Sequence, residues 1–131
     1  MLQRALLIDP RYSKAQNNLG LAYYHSGQYD QALEHLNRAV ELEPASQDAY
    51  NNLGLVHKKM GRYEMAEQDF QRALSIDKSY AAAHYNLALL YDDIGRLDRA
   101  AEQYRAFLQS GGGSKELNAK VQGRLAQIGQ P

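Results

Sequence analysis

A 34-residue period runs through this chain and restricts what it can fold into. The tripeptide at 18–20, Asn-Leu-Gly, recurs at 52–54, and it recurs once more at 86–88 with alanine in place of glycine. Other positions keep the same step, among them Gly27, Gly61 and Gly95, and Ala32, Ala66 and Ala100. A fixed period of this length is typical of a solenoid, because each repeat buries its apolar face only against its neighbours.

Each repeat contains two amphipathic patterns, because apolar residues recur at three-residue and four-residue spacings on either side of its glycine. The patterns predict helices near 13–26 and 30–42, near 47–60 and 64–76, and near 81–94 and 98–109. The glycine ends the first helix of each pair, since a left-handed backbone costs glycine little. Asp30 and Asp98 then lie near the start of the next helix, where an acidic group caps free amides and complements the helix dipole.

Small residues at fixed positions predict that the two helices of a repeat lie close together. Gly20, Gly54 and Ala88 on the first helices are expected to face Ala32, Ala66 and Ala100 on the second. Larger residues, Leu19, Tyr23, Leu36 and their equivalents, are expected to fill the flanks of this contact. A leucine in place of Ala66 would overpack it, at a cost of about 1–3 kcal/mol.

This arrangement resembles the tetratricopeptide repeat, whose unit carries Leu-Gly, Tyr, Ala, an aromatic residue, Ala and Pro in that order. The first repeat supplies Leu19, Gly20, Tyr23, Ala32, Leu36, Ala39 and Pro44 at those positions. The second has Lys78 for the proline, and the third has Phe107 for the late alanine and Gly112 for the proline. The resemblance implies an all-α fold, a right-handed superhelical solenoid of antiparallel helix pairs. We expect a single domain over 1–131 with repeats at 13–46, 47–80 and 81–114.

Both ends of the chain are interpreted from the same period. Ala5–Pro10 matches Ala39–Pro44, so residues 1–12 are expected to be the tail of a truncated repeat within a longer array. Ser114 follows a triple glycine, interpreted as a native hinge rather than an engineered linker, and it can cap a helix over 115–128. The apolar residues of that helix are Leu117, Val121, Leu125 and Ile128. Its polar remainder suits a terminal capping helix.

Composition argues against several functional classes. Lysine plus arginine and aspartate plus glutamate number 15 each, so no net field favours a nucleic acid. Cysteine is absent, which excludes disulfides and thiolate chemistry. No apolar run approaches the roughly 18 residues of a membrane span, and no signal peptide is visible. We therefore expect a cytoplasmic protein, although a fragment of a longer chain can have lost a targeting signal.

Candidate catalytic or metal-binding residues are few. His25, His35, His57 and His84 share no metal-ligand spacing, and His57 and His84 fall on core-facing positions where packing is the favoured interpretation. No nucleophile elbow, phosphate loop or zinc-protease motif is present. We expect neither an enzyme nor a bound cofactor or metal.

The resemblance implies that the first helices line a concave groove that binds a protein or peptide partner. The positions outside the core stripe are Asn17, Asn18, Leu21, Tyr24 and His25, then Asp48, Asn51, Asn52, Leu55, Lys58 and Lys59, and finally Tyr85, Asn86, Leu89, Asp92 and Asp93. Asn18, Asn52 and Asn86 resemble the asparagine ladder that binds peptide backbone in some members. The alternative is that these amides bond within the solenoid.

The charges along the expected groove suggest a bipolar partner. Lys58 and Lys59 form a basic patch, and Asp92 and Asp93 form an acidic one, which favours a partner with an acidic segment followed by a basic one. Members that clamp the carboxylate tail of heat-shock chaperones use lysines and an arginine with asparagines on these helices. Only Asn52 matches that set, and the other positions hold Asn17, Leu21, Ala82 and Asn86. Chaperone-tail binding is therefore not expected.

Three functions remain open at this stage. The first is a non-catalytic scaffold or adaptor that binds a peptide in the groove. The second is a self-assembling structural scaffold, since apolar residues at Leu2–Ile8 could pair with another copy. The third is a substrate-recruiting fragment of a larger enzyme, such as a repeat-bearing glycosyltransferase.

Overall fold

The computed structural model describes residues 11–129, and within that range it contains seven α-helices and no strand. The helices are α1 (Arg11–His25), α2 (Tyr29–Leu42), α3 (Gln47–Lys59), α4 (Tyr63–Ile76), α5 (Ala81–Asp93), α6 (Leu97–Gln109) and α7 (Lys115–Ile128). The all-α fold class is confirmed, and each helix begins and ends within two residues of its predicted bounds. The tail at 1–12 and the apolar segment at Leu2–Ile8 fall largely or wholly outside the described residues.

The chain divides into two compact units, Met1–Ile76 and Asp77–Pro131. The described part of the first unit contains α1 to α4, and that of the second contains α5 to α7. In the first unit α2 packs against both α1 and α3, while α3 packs against α4. In the second unit α6 packs against α5 and α7. The division does not test the expected single domain, which stays a prediction.

Each helix pair turns at a glycine in the left-handed region, as predicted. Gly27 has a φ of 79° and Gly61 and Gly95 have nearly the same value. The Gly27 amide donates to the Tyr24 carbonyl at 3.0 Å, and the Gln28 amide donates to the Tyr23 carbonyl at 2.9 Å. These two bonds define a Schellman motif, which satisfies carbonyls that the helix end leaves unpaired. The same pair of bonds recurs at Gly61, Gly95 and Gly111.

The expectation that Asp30 and Asp98 cap the second helices is wrong. The N-cap residues are Gln28 and Arg96, neither of which makes a side-chain cap bond. Both aspartates lie within the first helical turn instead. Their contribution is therefore limited to complementing the helix dipole.

Close contact within the helix pairs of the first unit depends on glycine, as predicted, but the side chains nearest the glycines are Leu36 and Phe70 rather than the expected Ala32 and Ala66. An ideal Cβ on Gly20 would lie 2.6 Å from Leu36 Cγ, and one on Gly54 would lie 2.5 Å from the ring of Phe70. Ala32 and Ala66 on the second helices are fully buried. A larger residue at any of these positions would force the helices apart.

Leu19 was expected to fill the flank of the helix contact, and that expectation is wrong. Its side chain is 42% exposed, whereas the equivalent Leu53 and Leu87 are 3% and 2% exposed. Leu53 and Val56 on α3 belong to a buried cluster that also contains Leu36 on α2. Among residues 11–129, no helix precedes α1 to cover Leu19 as α2 covers Leu53.

Helix α7 has a capped N-terminus and one buried side chain in the second unit. Ser114 is the N-cap, and its hydroxyl accepts from the Leu117 amide at 3.1 Å, as predicted. Asn118 Oδ1 accepts from the Gly113 amide at 2.8 Å, and Asn118 Nδ2 donates to the Gly113 carbonyl at 3.3 Å. Val121 is 2% exposed. The glycine segment is therefore a defined turn held by Asn118.

No helix within residues 11–129 is both long enough and apolar enough to cross a membrane. The expected cytoplasmic location stays a prediction.

Candidate functional site

Three of the four histidines bond to a side chain of the paired helix, and the fourth, His25, makes no such bond. His57 is 7% exposed, and its Nδ1 lies 2.6 Å from Asp69 Oδ2. Burial raises the pKa of the Asp69 carboxyl above its ordinary value, and the bond to His57 offsets part of that effect. His25 is exposed, with its ring 5.2 Å from that of Tyr24.

His35 and His84 each bond to a glutamine of the paired helix. The histidine lies on the second helix of the pair in the first repeat and on the first helix in the third repeat. In the first unit His35 Nδ1 on α2 lies 2.7 Å from Gln16 Oε1 on α1. In the second unit His84 Nδ1 on α5 lies 2.8 Å from Gln103 Oε1 on α6, and its Nε2 lies 2.8 Å from the Lys78 carbonyl. Histidine and glutamine have exchanged helices, and the contact between the helices is retained. His84 is half-buried, and both of its ring nitrogens have hydrogen-bond partners.

In the first unit α1 contacts α3, and we name the surface that carries Asn17 on α1 and Asn52 on α3 the amide face. Asn52 Nδ2 donates to Asn17 Oδ1 at 2.8 Å, and Asn52 is only 8% exposed. Asn51 is 5% exposed, whereas Asn18 is exposed on α1. The amide of Asn52 is thus used within the first unit, as the alternative interpretation of the asparagine ladder anticipated. No buried side-chain polar atom of the described residues lacks a hydrogen-bond partner.

The other predicted residues of the first unit range from packed to open. Tyr24 packs against the buried cluster, and burial raises the pKa of its hydroxyl above the ordinary value. Leu21, Leu55 and Lys58 are half-buried, and Lys59 is exposed. This face therefore presents amide groups, apolar side chains and cationic groups together.

In the second unit Asp92 is not the open acidic group that the sequence suggested. Arg124 on α7 donates to both of its oxygens, from Nε to Oδ2 at 2.8 Å and from Nη2 to Oδ1 at 2.7 Å. The Tyr104 hydroxyl on α6 also donates to Oδ2, at 2.8 Å. Three helices therefore meet at one carboxylate. Asp92 is bonded within this network, so it does not form the open acidic patch that was expected from Asp92 and Asp93.

The carboxylate network shifts the pKa of its carboxyl group and of its hydroxyl group. The bonds and charge of Arg124, helped by the Tyr104 hydroxyl, hold the pKa of Asp92 below its ordinary value despite partial burial. Burial raises the pKa of the Tyr104 hydroxyl, and its bond to the anionic Asp92 raises it further. Asp92 is thus an anion and Tyr104 a neutral donor at neutral pH.

A cleft of about 410 Å³ opens beside this network in the second unit, and we name it the cap cleft. Its lining residues are Tyr85, Leu89, Asp92, Tyr104, Leu117, Lys120, Val121, Gly123, Arg124 and Gln127. Tyr85 also packs its ring on Phe107, with the ring centres 5.2 Å apart. Tyr85, Leu89 and Asp92 were predicted as binding residues, and they lie together here. The predicted Asn86 is half-buried on the same helix but outside the cleft lining.

Family models match the repeats along most of the chain. One described as a tetratricopeptide repeat matches residues 1–34 and 70–102, which is more than half of the 131 residues. The chain belongs to the tetratricopeptide repeat family. A second model with that description matches 48–80, and one described as a TPR repeat matches 22–61. Among curated proteins, comparison of the sequences finds no match.

Solved tetratricopeptide repeat structures share this fold at low sequence identity. The first TPR of Spaghetti (RPAP3), bound to an HSP90 peptide, superposes with a TM-score of 0.81 at 19% identity, covering 92% of this chain and 93% of that one. The Arabidopsis OM64 TPR domain gives 0.80 at 24% identity, covering 90% and 97%. The Yersinia enterocolitica chaperone SycD, in complex with a peptide of the translocator YopD, gives 0.80 at 20%, covering 88% and 90%. These likenesses establish the tetratricopeptide fold.

Reasoning from the tetratricopeptide pattern missed the residues that α7 contributes to the cap cleft. The sequence assigned α7 a capping role alone, yet Lys120, Gly123 and Arg124 all line the cleft. A signal was available, because Lys120 and Arg124 are one helical turn apart and share a face. A glycine beside them in the middle of a helix marked that face further.

Proposed function

We propose that this chain is a non-catalytic interaction module that binds a peptide segment on the amide face of its first unit. The observation that carries the proposal is the bonded pair of Asn17 and Asn52, with 2.8 Å between Oδ1 and Nδ2. That bond uses one donor hydrogen of Asn52 and the oxygen of Asn17, and each amide side chain carries both donor and acceptor groups. A donor and an acceptor side by side match the carbonyl and amide of one peptide unit.

Solved structures of the same fold support a peptide ligand. The first TPR of Spaghetti is bound to an HSP90 peptide, and SycD is in complex with a peptide of YopD. The fold therefore provides surfaces that hold short segments. The absence of the chaperone-clamp residues other than Asn52 favours a different ligand for this chain.

Amide bonds alone supply too little binding energy. One net hydrogen bond contributes about 0.5–1.5 kcal/mol, whereas a micromolar complex requires about 8 kcal/mol. Leu21 and Leu55 are half-buried and keep apolar surface for a ligand. Lys59 is exposed on the same helix as Asn52, so an acidic segment in the ligand is favoured.

The test is selection of random displayed peptides on the full chain, followed by calorimetric titration of one selected peptide. The Asn17→Ala, Asn52→Ala double variant is expected to weaken binding by about tenfold or more, since two bonds to the peptide are lost. Asn37→Ala is the matched control, because Asn37 is an exposed amide on α2 away from this face. Helicity is compared first, since Asn52 is buried.

Equal affinity of the double variant and the wild type would refute the amide face as the binding surface. If no peptide is selected and sedimentation shows a mass that rises with concentration, self-assembly replaces peptide binding as the function. An enzyme that uses this module for substrate recruitment would supply its catalysis from another region of the protein.

A further inference from the structure

Gly123 is a helix residue whose lack of a side chain has no packing explanation. Glycine inside a helix destabilises it by roughly 0.5–1 kcal/mol relative to alanine. At Gly20 and Gly54 that loss is offset, because a Cβ would lie within 3 Å of Leu36 or Phe70. A Cβ on Gly123 would meet nothing within 4 Å. Because Gly123 has no side chain, the rim of the cap cleft stays open at this position.

We propose that the cap cleft receives one large apolar side chain of a bound peptide, and that a neighbouring carboxylate of the same peptide pairs with Lys120. The inference rests on the proposed peptide-binding function and adds a second contact site, in the second unit. It names the ligand class as a segment with a bulky apolar residue next to an acidic one.

The apolar part of the proposal follows from the walls of the cleft. Leu89 on α5 and Leu117 on α7 are half-buried, and Val121 is buried between them and the rest of the unit. Tyr85 adds an aromatic surface. A volume of about 410 Å³ lies in the range of small-ligand pockets, and it accommodates a phenylalanine or leucine side chain.

The acidic part follows from the charges at the cleft. Arg124 and Asp92 neutralise each other through two hydrogen bonds. Lys120 lies one turn before Arg124, is exposed, and has no ion pair with any residue in 11–129. The cleft therefore has one uncompensated positive charge beside an apolar cavity. A carboxylate next to the inserted side chain complements that charge.

The experiment titrates three blocked dipeptides into the ¹⁵N-labelled full chain and follows the backbone amide resonances. The probes are N-acetyl-Phe-Asp-amide, N-acetyl-Phe-Lys-amide and N-acetyl-Gly-Asp-amide. We expect saturable shifts at Leu89, Leu117 and Val121 with Phe-Asp, and binding about tenfold weaker with each of the other two. Equal binding of Phe-Asp and Phe-Lys would refute the charge selection, and no shift with Phe-Asp would refute the site.

Variants with matched controls separate the two parts of the site. Lys120→Glu is expected to reverse the preference to Phe-Lys, whereas Lys115→Glu makes the same charge change outside the cleft and is expected to leave it unaltered. Gly123→Met is expected to close the rim and abolish the shifts, whereas Gly123→Ala is expected to retain most of the binding. Both replacements favour the helix, so loss of folding does not explain a negative result.

The outcome is independent of the amide-face test. Asn17 and Asn52 lie in the first unit, so their double variant is expected to bind the Phe-Asp probe as wild type does. Loss of selected peptides from that variant, together with no probe binding at the cap cleft, would refute this inference and leave the proposed function standing. Probe binding without any selected peptide would refute the proposed function alone.

Discussion

The three helix-interior glycines show how one residue type can have opposite effects on stability. Gly20 and Gly54 face side chains of the paired helix at distances that no Cβ could occupy. Gly123 faces open space. Backbone entropy favours alanine over glycine at all three positions. The neighbouring atoms therefore decide whether replacing the glycine raises or lowers the free energy of unfolding.

Gly54→Ala is expected to destabilise the chain by about 1–3 kcal/mol, because the methyl group would overlap the ring of Phe70. Gly123→Ala is expected to stabilise it by about 0.5–1 kcal/mol, because only the helix propensity changes. Urea unfolding followed by circular dichroism measures both. A stabilised Gly54→Ala variant would show that the ring moves aside without cost.

At the scale of helices, polar contacts hold elements together where the apolar pattern leaves gaps. The Asp92 carboxylate joins α5 to α7 through Arg124 and to α6 through Tyr104. Arg38 Nη2 and Glu34 Oε1 lie 3.1 Å apart, one turn from each other on the exposed side of α2. An exposed ion pair of this kind contributes little to the stability of the fold. The difference is that Asp92 connects separate helices and is less exposed.

The Asp92 network predicts an acid-dependent loss of stability with a definite sign. The folded pKa of Asp92 lies below its unfolded value, so its stabilisation is complete above the unfolded pKa of about 4 and is lost as pH falls through the folded pKa. Wild type is therefore expected to lose stability more steeply than Asp92→Asn between about pH 5 and about pH 2. Urea midpoints across that range measure the effect.

Glu102→Gln serves as the control for that titration, because Glu102 is an exposed carboxylate on α6 outside the network. It is expected to follow the wild-type slope. If the urea midpoints of wild type and Asp92→Asn fell equally as the pH is lowered, the Arg124 bonds would not stabilise the fold.

At the scale of the whole chain, the two compact units suggest that a local perturbation stays local. In a repeat protein each element contacts only its neighbours, so stability is a sum of repeat and interface contributions. Val121 in the second unit and Val56 in the first are both buried, at 2% and 0% exposure. They provide matched positions for testing this behaviour.

Val121→Ala is expected to cost about 1–3 kcal/mol and to lower hydrogen-exchange protection mainly in α6 and α7. Val56→Ala is expected to lower protection mainly in α2, α3 and α4. Exchange measured by mass spectrometry on the intact chain resolves these segments. Equal loss of protection in all seven helices of residues 11–129 for both variants would instead indicate one cooperative unit.

The sequence predicted the helices well because their determinants repeat. Glycine at a fixed position and apolar residues at helical spacing are local signals, and the period supplied each of them three times. The exposure of Leu19 was not predictable from the period, since its position is buried only where a neighbouring helix covers it, as at Leu53. Burial depends on the neighbour and the repeat pattern does not encode it.

The candidate site was predicted in part. The Asn17 and Asn52 positions followed from the resemblance, whereas the hydrogen bond between them required the packing of α1 against α3. The bond between Asp92 and Arg124 spans 32 residues and depends on how α7 lies over α5. Val121 keeps the 34-residue step from Leu87, but the repeat pattern did not indicate the Arg124 bonds or the cap cleft.

The exchanged pairs, Gln16 with His35 and His84 with Gln103, have a consequence for anyone who extends this array by design. Copying repeats one column at a time, with each position chosen by its own residue preference, would join glutamine to glutamine or histidine to histidine. The two residues must therefore be copied together, and they lie 19 residues apart on different helices. A template that transfers both columns together keeps the bond in the first and third repeats, while the middle repeat holds Tyr50 and Asp69 at these positions.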